Sequence, residues 1–224
     1  MAKKSNTRTS IEEINESLSS IEQKVENNKK YIYWAVGAVV VIALLILGYV
    51  NLIRNPNLDQ AKSQIAQADA ALVAGNDSIA LLQYLSVADS YSNLPANRAN
   101  LNAAIILYQQ GKYEEAIASI KKFDPAGNLV GPASQSLMGD CYVNLGELDK
   151  ALSAFDKAID LAGDNGLYTP VFIMKKATVY REQQNYKAEA AAYQTINDSY
   201  PEFATSYGID IEKYLIRAKK QAGE

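Results

Sequence analysis

The feature that most restricts the fold of this 224-residue chain is an uncharged segment of 23 residues, Tyr31–Ile53. A helix of that length measures about 34 Å, enough to cross the roughly 30 Å hydrocarbon core of a membrane. Tyr31, Tyr33 and Trp34 lie at one end and Tyr49 lies near the other, where aromatic rings favour the headgroup region. The sequence therefore predicts one membrane-spanning helix at residues 31–53.

This segment is predicted to be an uncleaved signal anchor. The alternative, a cleaved signal peptide, fits less well, because thirty residues with five glutamates precede the segment and its length exceeds that of a signal-peptide core. Six lysines and arginines precede the segment, including Lys29 and Lys30, whereas Arg54 and Lys62 are the first to follow it. Because basic flanks stay in the cytoplasm, we expect a single-pass bacterial inner-membrane protein with a cytoplasmic N-terminus and a large periplasmic C-terminal domain.

Composition excludes several classes of function. The chain contains no histidine, so catalysis or metal binding that needs imidazole is excluded. Its one cysteine, Cys141, cannot form an intrachain disulfide or a thiolate zinc site and is expected to be a buried apolar filler. A net charge of −3 argues against nucleic-acid binding. Composition leaves carboxylate, lysine or tyrosine chemistry open. Because the sequence shows no titratable cluster in a plausible pocket and no phosphate-binding loop, we expect a protein that is not an enzyme and that binds no cofactor, metal or nucleic acid.

Residues 1–30 form a predicted cytoplasmic tail with a short amphipathic helix. Its apolar residues follow the spacing 3, 4, 3, 4 and are Ile11, Ile14, Leu18, Ile21 and Val25. Such a stripe is compatible with weak self-association or partner docking through residues 10–28. The alternative is a helix that lies on the inner leaflet or spaces the anchor, since two heptads are few for a coiled coil.

Beyond the span, the sequence predicts an all-α domain of repeated helical hairpins. Prolines separate stretches of 3.6-residue apolar periodicity, and Gly111 and Gly146 are 35 residues apart. The clearest copy runs from Pro132 to Gly163. It resembles the tetratricopeptide consensus in its small, aromatic, glycine and alanine positions, which are Gly139, Tyr142, Gly146, Ala151, Phe155 and Ala158. Gly139 and Ala151 are expected where paired helices approach closely, and Gly146 is expected to take the positive φ that ends a helix.

The resemblance divides the chain beyond the span into a linker at 54–60, repeats at 61–205 and a C-terminal capping helix at 206–224. The four copies lie at about 61–94, 97–128, 132–165 and 170–201. Two departures from the consensus are evident: Asp124-Pro125 shortens the second helix of the copy at 97–128, and Glu189 replaces an expected alanine, which puts the tight packing of that hairpin in doubt. In the cap, the side chains predicted to face inward are Ile209, Tyr214 or Leu215, and Ile216.

The resemblance also implies a partner-binding groove, lined by the first helix of each repeat. The consensus positions correspond here to Arg98, Leu101, Ile105, Tyr108, Asp140, Asn144, Met174 and Arg181. The basic clamp that holds a C-terminal carboxylate in some tetratricopeptide proteins is missing, and a mixed apolar groove suits an extended or helical peptide better. The alternative is that several of these residues, above all Leu101 and Ile105, pack against a neighbouring helix.

The arrangement of tail, anchor and repeats resembles the YfgM family of ancillary SecYEG translocon subunits. The segments QQGKYEEAI, MGDCYVNLGELDKAL, KKATVYREQQNY and IEKYLIRA are similar to the version found in Bacteroidetes. That resemblance implies a scaffold that contacts the SecYEG translocon, periplasmic chaperones or exported polypeptides and assists secretion. The alternative function is a structural or assembly subunit of a cell-envelope or division complex.

Overall fold

The computed structural model describes residues 6–125 and 130–224, with side chains from Lys24 onward outside the interval 126–129. Every regular element in those ranges is helical, which confirms the predicted all-α fold. The chain divides into two compact units, residues 1–57 and 58–224.

The first unit consists mainly of helix α1, Asn6–Tyr49. The predicted cytoplasmic tail ends at residue 30, but helix α1 continues through this position. Neither glycine nor proline occurs in the helix before Gly37, so nothing interrupts it there. Among the described residues, one helical stretch is long and apolar enough to cross a membrane, and it contains the uncharged segment. The predicted stripe at Ile11, Ile14, Leu18 and Ile21 lies outside the residues whose side chains are described.

A π-helical segment, Val50–Arg54, follows α1. The amide of Asn55 donates to the carbonyl of Val50, five residues earlier. Pro56 lacks an amide hydrogen and its ring would clash with the carbonyl four residues earlier, which favours a wider turn at this point. Helix α2 begins at Asn55, so most of the predicted linker at 54–60 is helical.

The second unit is a row of antiparallel helices, and α2 leads into it. The helix bounds are α2 Asn55–Val73, α3 Asp77–Ser90, α4 Leu94–Gln109, α5 Tyr113–Lys122, α6 Val130–Asn144, α7 Leu148–Ala162, α8 Tyr168–Glu182, α9 Tyr186–Ser199, α10 Pro201–Tyr207 and α11 Ile211–Ala222. Helices α4/α5, α6/α7 and α8/α9 form hairpins, and each hairpin packs on the next. Helix α5 is 10 residues long against 15 in α7, as the early Asp124-Pro125 predicts, and the last residues of the copy at 97–128 lie outside the described ranges.

The same turn ends helices α2, α4, α6 and α8. Gly75, Gly111, Gly146 and Gln184 have φ values of 75°, 74°, 74° and 57°. In each turn the next amide donates to a carbonyl five residues earlier, as Glu147 does to Tyr142 at 2.9 Å. These are the hydrogen bonds of a Schellman motif, which requires a left-handed residue after the helix. The predicted positive φ at Gly146 is confirmed.

Small residues allow α6 and α7 to approach closely, as predicted for Gly139 and Ala151. Both residues are buried, and a β-carbon at Gly139 would lie 2.5 Å from the Phe155 ring. Cys141 is fully buried in the cluster formed by α2–α6, which confirms its expected role as an apolar filler. The core therefore runs through the interior of the stack rather than inside single hairpins.

Two helices close the C-terminal end of the stack. The predicted cap begins at Ser206, but α10 extends to Tyr207 and Gly208 in the left-handed region separates it from α11. Ile211, Leu215 and Ala218 are buried against α9, on one face of α11. The predicted inward orientation of Ile216 is wrong, because this side chain is 59% exposed.

Candidate protein-binding groove

The predicted groove residues of α4 lie on one face of that helix. Ala99, Ala103 and Leu107 are buried in the core, so the remaining face carries Arg98, Leu101, Ile105 and Tyr108. Ile105 is 40% exposed and Leu101 is half-buried. Neither side chain belongs to the buried core, and each lies one helical turn from the other. The face therefore presents two apolar side chains between polar neighbours.

At the N-terminal end of this face, Arg98 is neutralised by α2. Its guanidinium forms an ion pair with Asp69. The same carboxylate accepts a hydrogen bond of 2.6 Å from the hydroxyl of the buried Tyr84. Burial raises the pKa of Tyr84 to about 12, and the hydrogen bond to Asp69 acts in the same direction. Arg98 therefore has a partner within the chain.

At the other end of α4, Tyr108 lies beside α6. Burial raises the pKa of its phenol, and the negative charge of Asp140 raises it further, while a hydrogen bond with Asn144 acts the other way. The Tyr108 ring also contacts Tyr113 edge-on, with 5.6 Å between centroids. The structure thus brings together three predicted residues, Tyr108, Asp140 and Asn144, from two helices.

Lys175 of α8 extends this polar cluster to a third helix. Its Nζ lies 2.5 Å from Asp140 Oδ2 and donates a 3.0 Å hydrogen bond to Ser136 Oγ. Asp140 is therefore placed between a phenol and an ammonium group. The first helices of three successive hairpins are connected through these side chains.

The predicted residues of α8 lie apart from that cluster. Met174 is half-buried and packs against the core cluster of α8, α9 and α11. Arg181 is half-buried, and its charge lowers the pKa of the buried Tyr193, although burial raises that pKa overall. We use the name groove face for the set of side chains on α4, α6 and α8 that consists of the eight predicted residues and Lys175, although Met174 and Arg181 lie apart from the others.

A family model described as a tetratricopeptide repeat-like domain matches residues 55–181, more than half of the chain. The turns, the close contact at Gly139 and the stacked hairpins agree with that match. The chain belongs to this family. None of the curated proteins compared with the chain matches it.

Solved structures of other proteins are similar to this one. A crystal structure of MamA protein has a TM-score of 0.53 and 19% identity, covering 72% of this chain and 91% of that one. A Podosopora anserina putative kinesin light chain with nearly identical TPR-like repeats has a TM-score of 0.57 and 12% identity, covering 73% of this chain and 87% of that one. At such identities the likeness shows the fold alone.

In this tetratricopeptide fold, Lys175 is the groove-face residue that sequence reasoning missed. It lies one position after Met174, and its partner is determined by how α8 is aligned against α6. A consensus read from one sequence cannot give that alignment. The opposite charges of Asp140 on α6 and Lys175 on α8 are the sequence signal that could have indicated this pair.

Proposed function

We propose that this tetratricopeptide protein is a membrane-anchored scaffold that binds protein partners on its groove face. The proposal depends chiefly on one observation: Ile105 is exposed and Leu101 is half-buried on a face of α4 whose basic residue Arg98 already has a partner, as does Asp140 on the neighbouring helix α6. An apolar strip of this kind gains free energy when a partner removes it from water. Binding at this strip does not require a charged ligand, because Arg98 beside it already has a partner within the chain.

The electrostatics of the groove face support a peptide segment with apolar side chains. Arg98 is paired with Asp69, and Lys175 is paired with Asp140, so two of the three basic groups of the groove face lie beside carboxylates of the chain itself. Because most of its charges are compensated, the groove face favours partners through shape and apolar contact rather than through one formal charge. A half-buried methionine, Met174, adds an adaptable surface at the far end.

As its finer role, we propose an ancillary subunit of the SecYEG translocon and periplasmic chaperone network that assists exported proteins. The resemblance to YfgM proteins and the single apolar helix support this role. The role requires helix α1 to anchor the protein in the inner membrane with residues 58–224 in the periplasm. We further propose that the protein has no enzymatic activity, because the repeat fold is a protein-interaction module.

Site-specific photo-crosslinking tests the groove. A photoreactive amino acid replaces Ile105 in the full-length chain in cells, and the matched control replaces Ile79 on α3, which is 51% exposed. We expect products at position 105 that do not form at position 79. Mass spectrometry should identify translocon subunits, chaperones or exported proteins in them. Identical products at both positions, or none at 105, would contradict a groove.

Protease treatment of spheroplasts tests the proposed topology separately. Protease added from outside should cleave residues 58–224 and leave a membrane-protected fragment that contains the N-terminal tail. Full protection of the large domain would show the opposite orientation in the membrane, and the translocon role would then have no support. Crosslinking at Ile105 could still succeed in that case, so the two experiments distinguish binding from location.

The continuity of α1 favours a second candidate, an assembly subunit that self-associates. Because tail and span form one helix, an apolar stripe within residues 10–28 would continue into the membrane in a fixed orientation. This candidate predicts a defined oligomer of the full-length chain in detergent. Native mass spectrometry measures it, and a monomer that persists at micromolar concentration would exclude self-association as the main function.

A further inference from the structure

A second surface, distant in sequence from the predicted groove residues of α4 and α6, is a cleft at the C-terminal end of the stack. Its volume is about 690 Å³, and it lies between the α7–α8 connection and α10. Its apolar lining comes from Leu167, Tyr200, Phe203 and Tyr207. Leu167 is 39% exposed and Tyr207 is 54% exposed, whereas Phe203 is buried. The cleft therefore exposes a phenol ring and an aliphatic side chain to solvent.

The charged side chains at this cleft have one sign. Asp164 and Glu202 line it, both are exposed, and among the described residues the lining includes no lysine or arginine. Neither carboxylate takes part in an ion pair with another described residue. Two carboxylates next to aromatic rings create a negative potential in a concave site.

The chain itself shows what such a combination binds. On α7 and α8, Lys176 forms an ion pair with Asp156 while its Nζ lies 5.6 Å from the centre of the Tyr180 ring. A carboxylate and a tyrosine face thus hold one basic side chain between neighbouring helices. The cleft offers the same two kinds of group, with Tyr207 in place of Tyr180, and no described basic side chain occupies it.

From this charge complementarity we propose that the cleft binds a lysine or arginine side chain in a segment of a partner polypeptide. The ammonium or guanidinium group lies against the Tyr207 ring and pairs with Asp164 or Glu202. The apolar neighbours of that residue in the partner contact Leu167 and Phe203. This surface is independent of the groove face, so a partner can contact both or only one.

Fluorescence anisotropy with the full-length chain in phosphatidylcholine nanodiscs tests the proposal. The probe is a labelled peptide of alternating arginine and leucine residues, and its control has glutamine in place of arginine. We expect the arginine peptide to bind about tenfold more tightly, as one exposed ion pair and one cation–π contact would give. Equal affinity for the two peptides would overturn the proposal.

Variants locate the binding site. Asp164→Asn with Glu202→Gln, and separately Tyr207→Leu, should each weaken binding of the arginine peptide about fivefold. The matched control, Glu114→Gln with Glu115→Gln on α5, removes the same formal charge from exposed positions elsewhere and should leave affinity within about twofold. If this control weakens binding as much as the cleft variants, general attraction explains the affinity and the cleft has no special role. Crosslinking at Ile105 does not depend on either result.

Discussion

Gly139 on α6 lies where the packing tolerates little added volume. A β-carbon there would lie 2.5–2.8 Å from three atoms of the Phe155 ring, and that ring is itself buried. The ring cannot move away without disturbing its own contacts. We expect Gly139→Ala to lower the free energy of unfolding by about 1–2 kcal/mol, because the overpacking exceeds the gain in helix propensity.

Urea denaturation of the full-length chain in detergent, followed by circular dichroism, measures this loss. Gly166→Ala is the matched control, since a β-carbon at Gly166 meets nothing within 4 Å. The control should stay within about 0.5 kcal/mol of the parent. A Gly139→Ala variant as stable as the parent would show that the α6–α7 contact is loose.

Gln184 is the one residue other than glycine at the left-handed position of the turns that end α2, α4, α6 and α8. It takes a φ of 57° where the other three turns have glycine, and left-handed backbone costs a residue with a β-carbon about 1 kcal/mol. We expect Gln184→Gly to raise the free energy of unfolding by about 0.5–1 kcal/mol, partly offset by the greater freedom of glycine in the unfolded chain. Thermal denaturation should show a higher midpoint.

The converse substitution, of glycine by alanine at Gly146, tests the same cost of a left-handed backbone. A β-carbon at Gly146 would meet nothing within 4 Å, so Gly146→Ala introduces backbone strain without a clash. It should lower the free energy of unfolding by about 1 kcal/mol. If both variants leave the midpoint unchanged, the turn residues do not limit stability.

These glycines were predictable because their requirements are local. A positive φ and a close helix approach exclude larger residues whatever the rest of the chain does, so the resemblance to the tetratricopeptide consensus was enough to assign Gly139 and Gly146. Gln184 could not be assigned in this way, because glutamine carries no sign of a left-handed backbone. The orientation of Ile216 was predicted wrongly, since the choice among adjacent apolar residues depends on the rotation of α11 against α9.

Helix α11 is held to α9 by an ion pair whose carboxylate is buried. Glu189 is fully buried, and its Oε1 accepts a 2.6 Å hydrogen bond from Arg217 Nη2. The Arg217 guanidinium also lies over the Tyr214 ring, with 5.3 Å to its centroid. From the sequence, Glu189 in place of the expected alanine puts the tight packing of this hairpin in doubt. The structure shows instead that the cap supplies its counter-charge.

Removing the cation alone should therefore detach the cap. Arg217→Met leaves a buried carboxylate without a partner, and we expect a loss of about 2 kcal/mol, less than for a fully buried pair because Arg217 is partly exposed. Glu189→Leu combined with Arg217→Met should recover most of that loss. Lys213→Met, which removes an exposed cation from the same helix, is the control.

Hydrogen exchange separates local from global effects in these variants. Amides of α11 should exchange faster in Arg217→Met, while amides of α4 should not change. Equal acceleration in both helices would mean that the pair stabilises the whole stack rather than the cap. A Lys213→Met variant with the same pattern as Arg217→Met would remove any special role of the ion pair.

The existence of the elements was more predictable than their ends. Apolar periodicity and the prolines gave the paired helices, and the early Asp124-Pro125 gave the short α5. The predicted limit of the tail at residue 30 is a change of polarity and does not coincide with a helix end, because such a change does not interrupt a helix that lacks glycine and proline. The predicted start of the cap at residue 206 lies inside α10, and Gly208, two residues later, provides the break.

For the stack of helices as a whole, we expect the free energy of unfolding to fall at alkaline pH. Tyr84 and Cys141 lie in the same cluster formed by α2–α6. Burial raises the pKa of Tyr84 from 10.0 to about 12 and that of the Cys141 thiol from 9.0 to about 11. The pKa values of Tyr108 and Tyr193 move in the same direction, because burial disfavours the charged phenolate.

The direction of this pH dependence follows from the number of protons that the folded and unfolded chains bind. Between the unfolded and folded pKa values, the folded chain keeps protons that the unfolded chain releases, so the free energy of unfolding falls as pH rises. The contribution of these groups is fully present below about pH 9 and is lost as pH rises through about 11 and 12. We expect the urea midpoint to decrease steadily across that window while secondary structure in the absence of urea persists at its start.

Substitution of the two groups tests the cause. In the double variant Tyr84→Phe, Cys141→Ala, the decrease in the midpoint between pH 9 and 12 should be shallower than in the parent, although the variant starts from lower stability because it loses the 2.6 Å hydrogen bond to Asp69. Tyr31→Phe serves as the control, because this exposed tyrosine lies outside residues 58–224 and should leave the slope unchanged. Parallel pH profiles for parent and double variant would mean that other groups govern alkaline unfolding. A shallower profile would instead show that the buried phenol and thiol of the α2–α6 cluster couple the pH of the medium to the stability of the stack.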